Sequence, residues 1–192
     1  MRLFIALPLS DDVEQFLGGI ILDLKQKRGR VKWVASKNIH LTMKFLGETD
    51  ENKVEAIIES IKSVAAKHKS VECTIDRIGG FPNLRRPRVI WAGIEKKEDN
   101  INRLEAIASD IEEEMTPLGF EKESRKFKSH LTLGRVKDNR NLYELTKYLE
   151  NYRLEPKEIL FDKIVLFKST LTPHGPIYRR LCEAELGGFV FE

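Results

Sequence analysis

The feature of this sequence that most restricts its fold is an internal duplication. The run Arg88 to Ile94 resembles the run Arg2 to Pro8, 86 residues earlier. A stretch of helical period from about Asn100 to Met115 answers one from Asp11 to Lys27. The tetrad His130, Leu131, Thr132, Leu133 answers His40, Leu41, Thr42, Met43, 90 residues away. A helical stretch near 141–150 follows, as Glu51 to Lys67 follows in the first half. Phe161 to Ile164 then matches Thr74 to Ile78, with Asp76 and Asp162 86 residues apart. One such match is weak, but five collinear ones argue for two similar units. Two copies do not make a solenoid, because each unit has only the other to cover its open face.

Within each copy the patterning predicts the elements. Residues 2–8 read as a strand. In the first helix Val13, Phe16, Leu17, Ile20, Ile21 and Leu24 recur at i, i+3, i+4, i+7 spacing, with Ser10 as N-cap. Val54, Ile57, Ile58, Ile61, Val64 and Ala65 share one face of the second. Strands are expected around His40 to Leu46, at 71–78, and at 88–94 after the breaker Pro87. The expected fold class is α+β: a bilobal pseudo-twofold duplication, two lobes with mainly antiparallel sheets and flanking helices facing a central cleft. No linker rich in Gly, Ser or Pro parts the halves. The chain 1–192 therefore reads as a single bilobal domain, with the repeat at approximately 1–87 and 88–176. A final strand near 177–185 is expected to pair back across the lobes.

Composition narrows the class further. With 41% hydrophobic and 33% charged residues the chain is not a disordered one. Its net charge of +3 permits a phosphate-bearing partner without demanding one. The apolar run from Leu3 to Leu7 is too short for a signal peptide, is broken by Pro8, and precedes Asp11 and Asp12 where small residues would be needed. No run approaches the roughly 18 apolar residues of a membrane span. Cys73 and Cys182 are far apart and in no metal-ligand spacing, so buried thiols in a reducing compartment, the cytoplasm, are expected.

The duplicated tetrad carries the chemistry. On a strand, residues i and i+2 point to one face, roughly 6.6–7 Å apart. His40 and Thr42 share a face, with Leu41 and Met43 turned to the core, and His130 and Thr132 repeat the arrangement. A packing repeat has no reason to keep His and Thr on its polar side, whereas a shared anion site does. One neutral imidazole can deprotonate water while a protonated one supplies a leaving oxygen with its proton. Histidine serves both roles because its ordinary pKa, about 6.5, leaves both forms accessible near neutrality. No metal or other cofactor is required. A metal hydrolase would need three or more converging ligands, and the clustered spacings of zinc sites are absent. A non-catalytic module whose cleft reads phosphates only is the other alternative. It would bind without turnover, and a matched pair of histidines is superfluous for binding alone. His68, at a helix end between Lys67 and Lys69, reads as a solvated charge, and His174 as a turn residue.

These residues resemble the two-histidine phosphoesterases and, within them, the RNA 2′,3′-cyclic phosphodiesterases, also called 2′-5′ RNA ligases. The likeness runs over the whole chain. It includes Arg2 to Ala6, His40 to Gly47, Arg86 to Gly93, His130 to Arg135, and Leu171 to Tyr178. The resemblance implies opening of a 2′,3′-cyclic phosphate at an RNA end to a 2′-phosphate, with reversible 2′-5′ ligation at the same site. It implies His40 as proton donor and His130 as proton acceptor, an order the near-symmetric sequence cannot supply by itself. Thr42 and Thr132 are expected to bind phosphate oxygens. Arg135 is expected as a further phosphate ligand, provided Gly134 breaks the strand alternation. Phe45 matches a base-stacking position, although a core phenylalanine on the Leu41/Met43 face fits as well. The expected partners are RNA ends or oligonucleotides bearing a 2′,3′-cyclic phosphate, with no membrane and no obligatory protein partner.

Overall fold

A computed structural model describes residues 1–95 and 98–187. The opening apolar run forms β1 (Arg2–Pro8), which is buried on both faces because it is an inner strand. Leu3, Ile5 and Leu7 enter the main core, while Phe4 and Ala6 join a smaller cluster with Val165 and Phe167. Helix α1 (Asp11–Lys25) buries Val13, Leu17, Ile20, Ile21 and Leu24, and ends two residues before the expected Lys27. Ser10 holds the N-cap position, but its hydroxyl donates to Asp12 Oδ1 at 2.6 Å and caps no backbone N–H. The charged carboxylate nearby is the stronger partner.

A short strand, β2 (Val31–Trp33), has no counterpart among the expected elements. It is followed by β3 (His40–Glu48), then α2 (Val54–Lys67), whose expected first turn at Glu51–Lys53 is 3-10 instead. β4 (Val71–Phe81) runs three residues past its expected end. Then come β5 (Val89–Ile94), α3 (Glu98–Met115), β6 (His130–Val136) and α4 (Tyr143–Glu150). β7 (Lys157–Phe161), β8 (Lys163–Thr172) and β9 (Gly175–Glu185) complete the described chain.

The strands form two antiparallel sheets, ordered β3-β1-β8-β9 and β2-β6-β5-β4-β7. This is the expected α+β pair of sheets, with one feature added by the topology. β4, from the first repeat, lies between β5 and β7, and β8, from the second, lies between β1 and β9. The two halves of the chain thus interleave: β2 and β4 of the first half join β5 and β6, β8 of the second joins β1 and β3, and the final strand β9 pairs with β8 at the edge of the sheet founded on β1. Helix α3 packs on both β3 and β4 and against α2, tying the sheets together. One connected core draws apolar residues from both sheets and from all four helices.

Strand pairing also corrects the register of the duplication. Pro8, Ala6 and Phe4 pair with His40, Thr42 and Phe45, while Gly93, Trp91 and Val89 pair with His130, Thr132 and Arg135. Equivalent positions in β1 and β5 are therefore 85 residues apart, one fewer than the side-chain likeness implies. Ala6 faces the same side as Thr42, whereas its apparent counterpart Ala92 pairs with Leu131 and faces the core. Because side chains alternate with period two, a slip of one residue exchanges the faces of the whole strand.

Candidate active site

β3 and β6 come into contact, and their polar faces line one groove with His40, Thr42, Phe45, His130, Thr132 and Arg135 along its walls. Each strand is bent in the same way. Opposite Ile5 and Ala6, β3 carries the extra residue Met43. Opposite Ile90 and Trp91, β6 carries Leu133. Such a bulge adds one residue and reverses the alternation beyond it. Phe45 and Arg135, each three residues past its threonine, are therefore turned to the groove with the histidines. Phe45 is 66% exposed, which removes it from the core. The alternation before Arg135 breaks at Leu133, not at Gly134. Gly134 has a different constraint: a Cβ there would stand 2.7 Å from Val31 and 2.8 Å from Trp33, so glycine lets β2 pack alongside.

Each imidazole is held by the backbone two residues upstream. His130 Nδ1 lies 2.7 Å from the carbonyl oxygen of Lys128, and the His40 ring hydrogen-bonds the backbone of Asn38. A carbonyl only accepts, so the His130 Nδ1 carries the hydrogen and Nε2 is left with its lone pair in the neutral ring. Each ring also packs against a phenylalanine from an interleaved strand of the other half. His40 lies 5.9 Å from Phe167 of β8, and His130 lies edge-on to Phe81 of β4 at 5.0 Å.

The two surroundings then diverge. His40 stacks on Phe4 at 4.8 Å and meets the Tyr178 ring edge-on at 5.5 Å. Burial in this aromatic setting pulls its pKa down to about 4, against the opposing effect of the bond to Asn38. Burial also lowers the pKa of His130. The bond to Lys128 opposes that shift, and the charges of Arg135 and Lys128 add to it. Burial raises the Tyr178 hydroxyl, while Arg135 and Arg2 pull it down, so both guanidinium groups bear on this edge of the groove.

Tyr178, Phe4, Phe167 and Phe81 escaped the reading of the sequence as site residues. Tyr178 and Phe4 had a visible signal, their places in the Leu171 to Tyr178 and Arg2 to Ala6 stretches. Phe4 and Phe167 look like ordinary strand apolar residues until pairing sets them beside His40. His68 is not a solvated charge: its Nε2 lies 2.7 Å from Asp110 Oδ2 on α3. His174 is exposed in the turn between β8 and β9, as expected. Cys73 is buried, with its thiol pushed up to about 11 by desolvation, and Cys182 is half-buried. Among the described residues, no three His, Cys, Asp or Glu side chains converge as a metal site, and no helix is long and apolar enough to cross a membrane.

A duplicated sheet pair that sets two His-x-Thr strands around one groove is an architecture of the two-histidine phosphoesterase type. Residues 12–172 match the 2′-5′ RNA ligase superfamily, and the chain belongs to that family. It is 36% identical over 188 residues to an RNA 2′,3′-cyclic phosphodiesterase of Thermotoga maritima, covering 98% of this chain and 97% of that one. It is 37% identical over 184 residues to an RNA 2′,3′-cyclic phosphodiesterase of Methanocaldococcus jannaschii, covering 95% and 99%. Among solved structures, a Thermus thermophilus protein superposes with a TM-score of 0.75 at 28% identity, covering 98% and 99% of the two chains. Escherichia coli LigT, solved with 3′-AMP, shares the fold with a TM-score of 0.70 at 23% identity, covering 96% and 97%.

Proposed function

We propose that this protein hydrolyses the 2′,3′-cyclic phosphate at an RNA end to a 2′-phosphomonoester, using His130 as general base and His40 as general acid. The observation that carries this reading is the paired placement of the two imidazoles. They occupy equivalent positions on two strands in contact, each is tied to the carbonyl-bearing backbone two residues upstream, and each is followed by a threonine on the same face. The names of the full-length relatives support the substrate.

In the reaction, His130 Nε2 takes a proton from water as the water oxygen bonds to phosphorus. The P–O3′ bond breaks, and the His40 imidazolium delivers a proton to O3′. Thr42 and Thr132 hydroxyls and the Arg135 guanidinium hold the non-bridging oxygens, where charge accumulates in the transition state. With its pKa at about 4, His40 is neutral at neutral pH. The phosphate anion must therefore raise it on binding, since an opposite charge within about 4–6 Å favours the protonated ring. The same groups serve 2′-5′ ligation when a 5′-hydroxyl replaces water. In dilute aqueous solution mass action favours hydrolysis.

The direct test is phosphorus NMR of the product formed from a defined RNA with a 2′,3′-cyclic end. A 2′-phosphomonoester is expected. A 3′-phosphomonoester would reverse which ester bond is broken, and an unchanged cyclic phosphate would leave only binding.

A further inference from the structure

We propose that the irregular segment from Glu121 to Lys128 is a track for the RNA strand leading to the cyclic end, so that an oligonucleotide is held more tightly than a free cyclic mononucleotide that reacts at the same centre. This inference rests on the functional reading above. The segment brings Lys122, Arg125, Lys126 and Lys128 to the wall of the groove. Near them are the exposed ring of Phe45 and the ring of Phe81, over which the Lys128 ammonium sits at 4.9 Å. Cations beside an open aromatic face form the pattern by which proteins hold single strands, with the charges tracking phosphates and the open ring, here Phe45, taking a base. The groove encloses about 1710 Å³, well above the roughly 300–1,000 Å³ of a small-molecule site. Even with Glu121 and Glu123 on the same wall the segment keeps an excess of positive charge, and the room exceeds what one nucleotide uses.

An irregular segment has no strand ladder to hold it, and here a buried ion pair does so. Lys44 Nζ donates to Glu112 Oε2 at 2.6 Å and to the Glu121 carbonyl at 2.8 Å. The backbone N–H of Glu123 donates to the same Glu112 oxygen at 3.2 Å. Lys44 lies in β3 between Thr42 and Phe45, so one ammonium group joins the strand of the reaction site to the segment. Its equivalent in β6 is Gly134. A buried ion pair contributes little net stability, because desolvation offsets the attraction, but it does select one geometry. Lys126 adds an outer tie to Glu105 at 3.6 Å.

Phosphates carry no base information, so binding along this track should be insensitive to sequence and sensitive to salt. The variant Lys122→Ser/Arg125→Ser/Lys126→Ser removes three exposed cations that have no part in the proton transfers. Binding of a fluorescent RNA hexamer ending in a 3′-phosphate is measured by anisotropy across salt, and turnover is measured on a cyclic mononucleotide. For a single strand the slope of log affinity against log salt is about −0.7 per phosphate contact, so the variant's slope should be shallower by about 2. Its hexamer affinity at low salt should fall by roughly tenfold or more. Mononucleotide turnover should stay close to wild type. Unchanged hexamer affinity and slope would overturn the track. An equal loss on the mononucleotide would overturn it too, by placing these cations at the reaction centre. A wild type that binds with the expected slope yet turns over no cyclic phosphate would support the track and reject the catalytic reading.

Discussion

Phe45 and Arg135 occupy the same place in the two sheets, each three residues past its threonine and each turned to the groove by a bulge at Met43 or Leu133. The duplication keeps histidine and threonine in both copies and lets this third position diverge. One copy presents a ring with two open faces, the other a planar fork of N–H donors. The groove is thus symmetric in its histidines and threonines and asymmetric at this third position. On the proposed reading, a substrate with a base on one side of its phosphate is expected to lie in it one way round.

That asymmetry predicts two different phenotypes. Phe45→Leu should raise KM, since base stacking on an aromatic is worth about 1–3 kcal/mol, with Tm near wild type because the ring is exposed. Arg135→Ala should lower kcat/KM at least tenfold, since a hydrogen bond to a charged group is worth about 1.5–3 kcal/mol. Thermal melts and steady-state kinetics on one RNA substrate decide both. A large drop in Tm for Phe45→Leu with unchanged KM would refute stacking.

Thr42→Val and Thr132→Val keep the strand shape and delete one hydroxyl each. Each is expected to slow turnover by roughly tenfold to a hundredfold, on the same charged-acceptor reasoning. A wild-type rate in both would show that these hydroxyls do not meet the phosphate.

His40→Ala and His130→Ala should each cut turnover by about 10²-fold or more, and the double variant should be scarcely worse than the worse single one. An aryl phosphodiester separates the roles, because its leaving group needs no proton. On that substrate His40→Ala should recover most of its activity and His130→Ala should not. Rescue of His130→Ala instead would exchange acid and base.

The His40 environment makes a pH prediction. The unfolded chain protonates this ring near 6.5 and the folded protein at about 4. Between those values the unfolded state binds more protons. The stability present above about pH 6.5 is therefore lost progressively as pH falls toward 4, and stays lost below. The lowered His130 acts in the same direction. Melting curves from pH 7 to 4 should show this slope, and His40→Asn should flatten part of it. In NMR titrations a bound nucleotide phosphate should move the His40 midpoint upward. A midpoint unmoved by phosphate would remove His40 from the acid role.

Both proton transfers are assigned to imidazoles, so activity should persist in excess EDTA. Loss of activity on chelation, restored by a divalent cation, would defeat the mechanism.

The duplication, the helical faces and the His-x-Thr strands were legible in the sequence because each rests on a local period that a single segment carries by itself. His40, Thr42, His130 and Thr132 could be placed on polar strand faces for that reason, and the family resemblance added the order of their roles. The remainder depended on which distant segments pair. The interleaving of β4 and β8 brings Phe81 to His130 and Phe167 to His40, and no repeat alignment contains that crossing. The one-residue slip between β1 and β5 and the bulges at Met43 and Leu133 are likewise matters of register. Register decides faces: a residue pattern of period two says which positions share a side, but only the hydrogen-bonded partner strand says where that pattern shifts. That is why Phe45 was open to two readings until its neighbours across β1 were known, and why the aromatic surroundings that lower His40 belong to the tertiary structure alone.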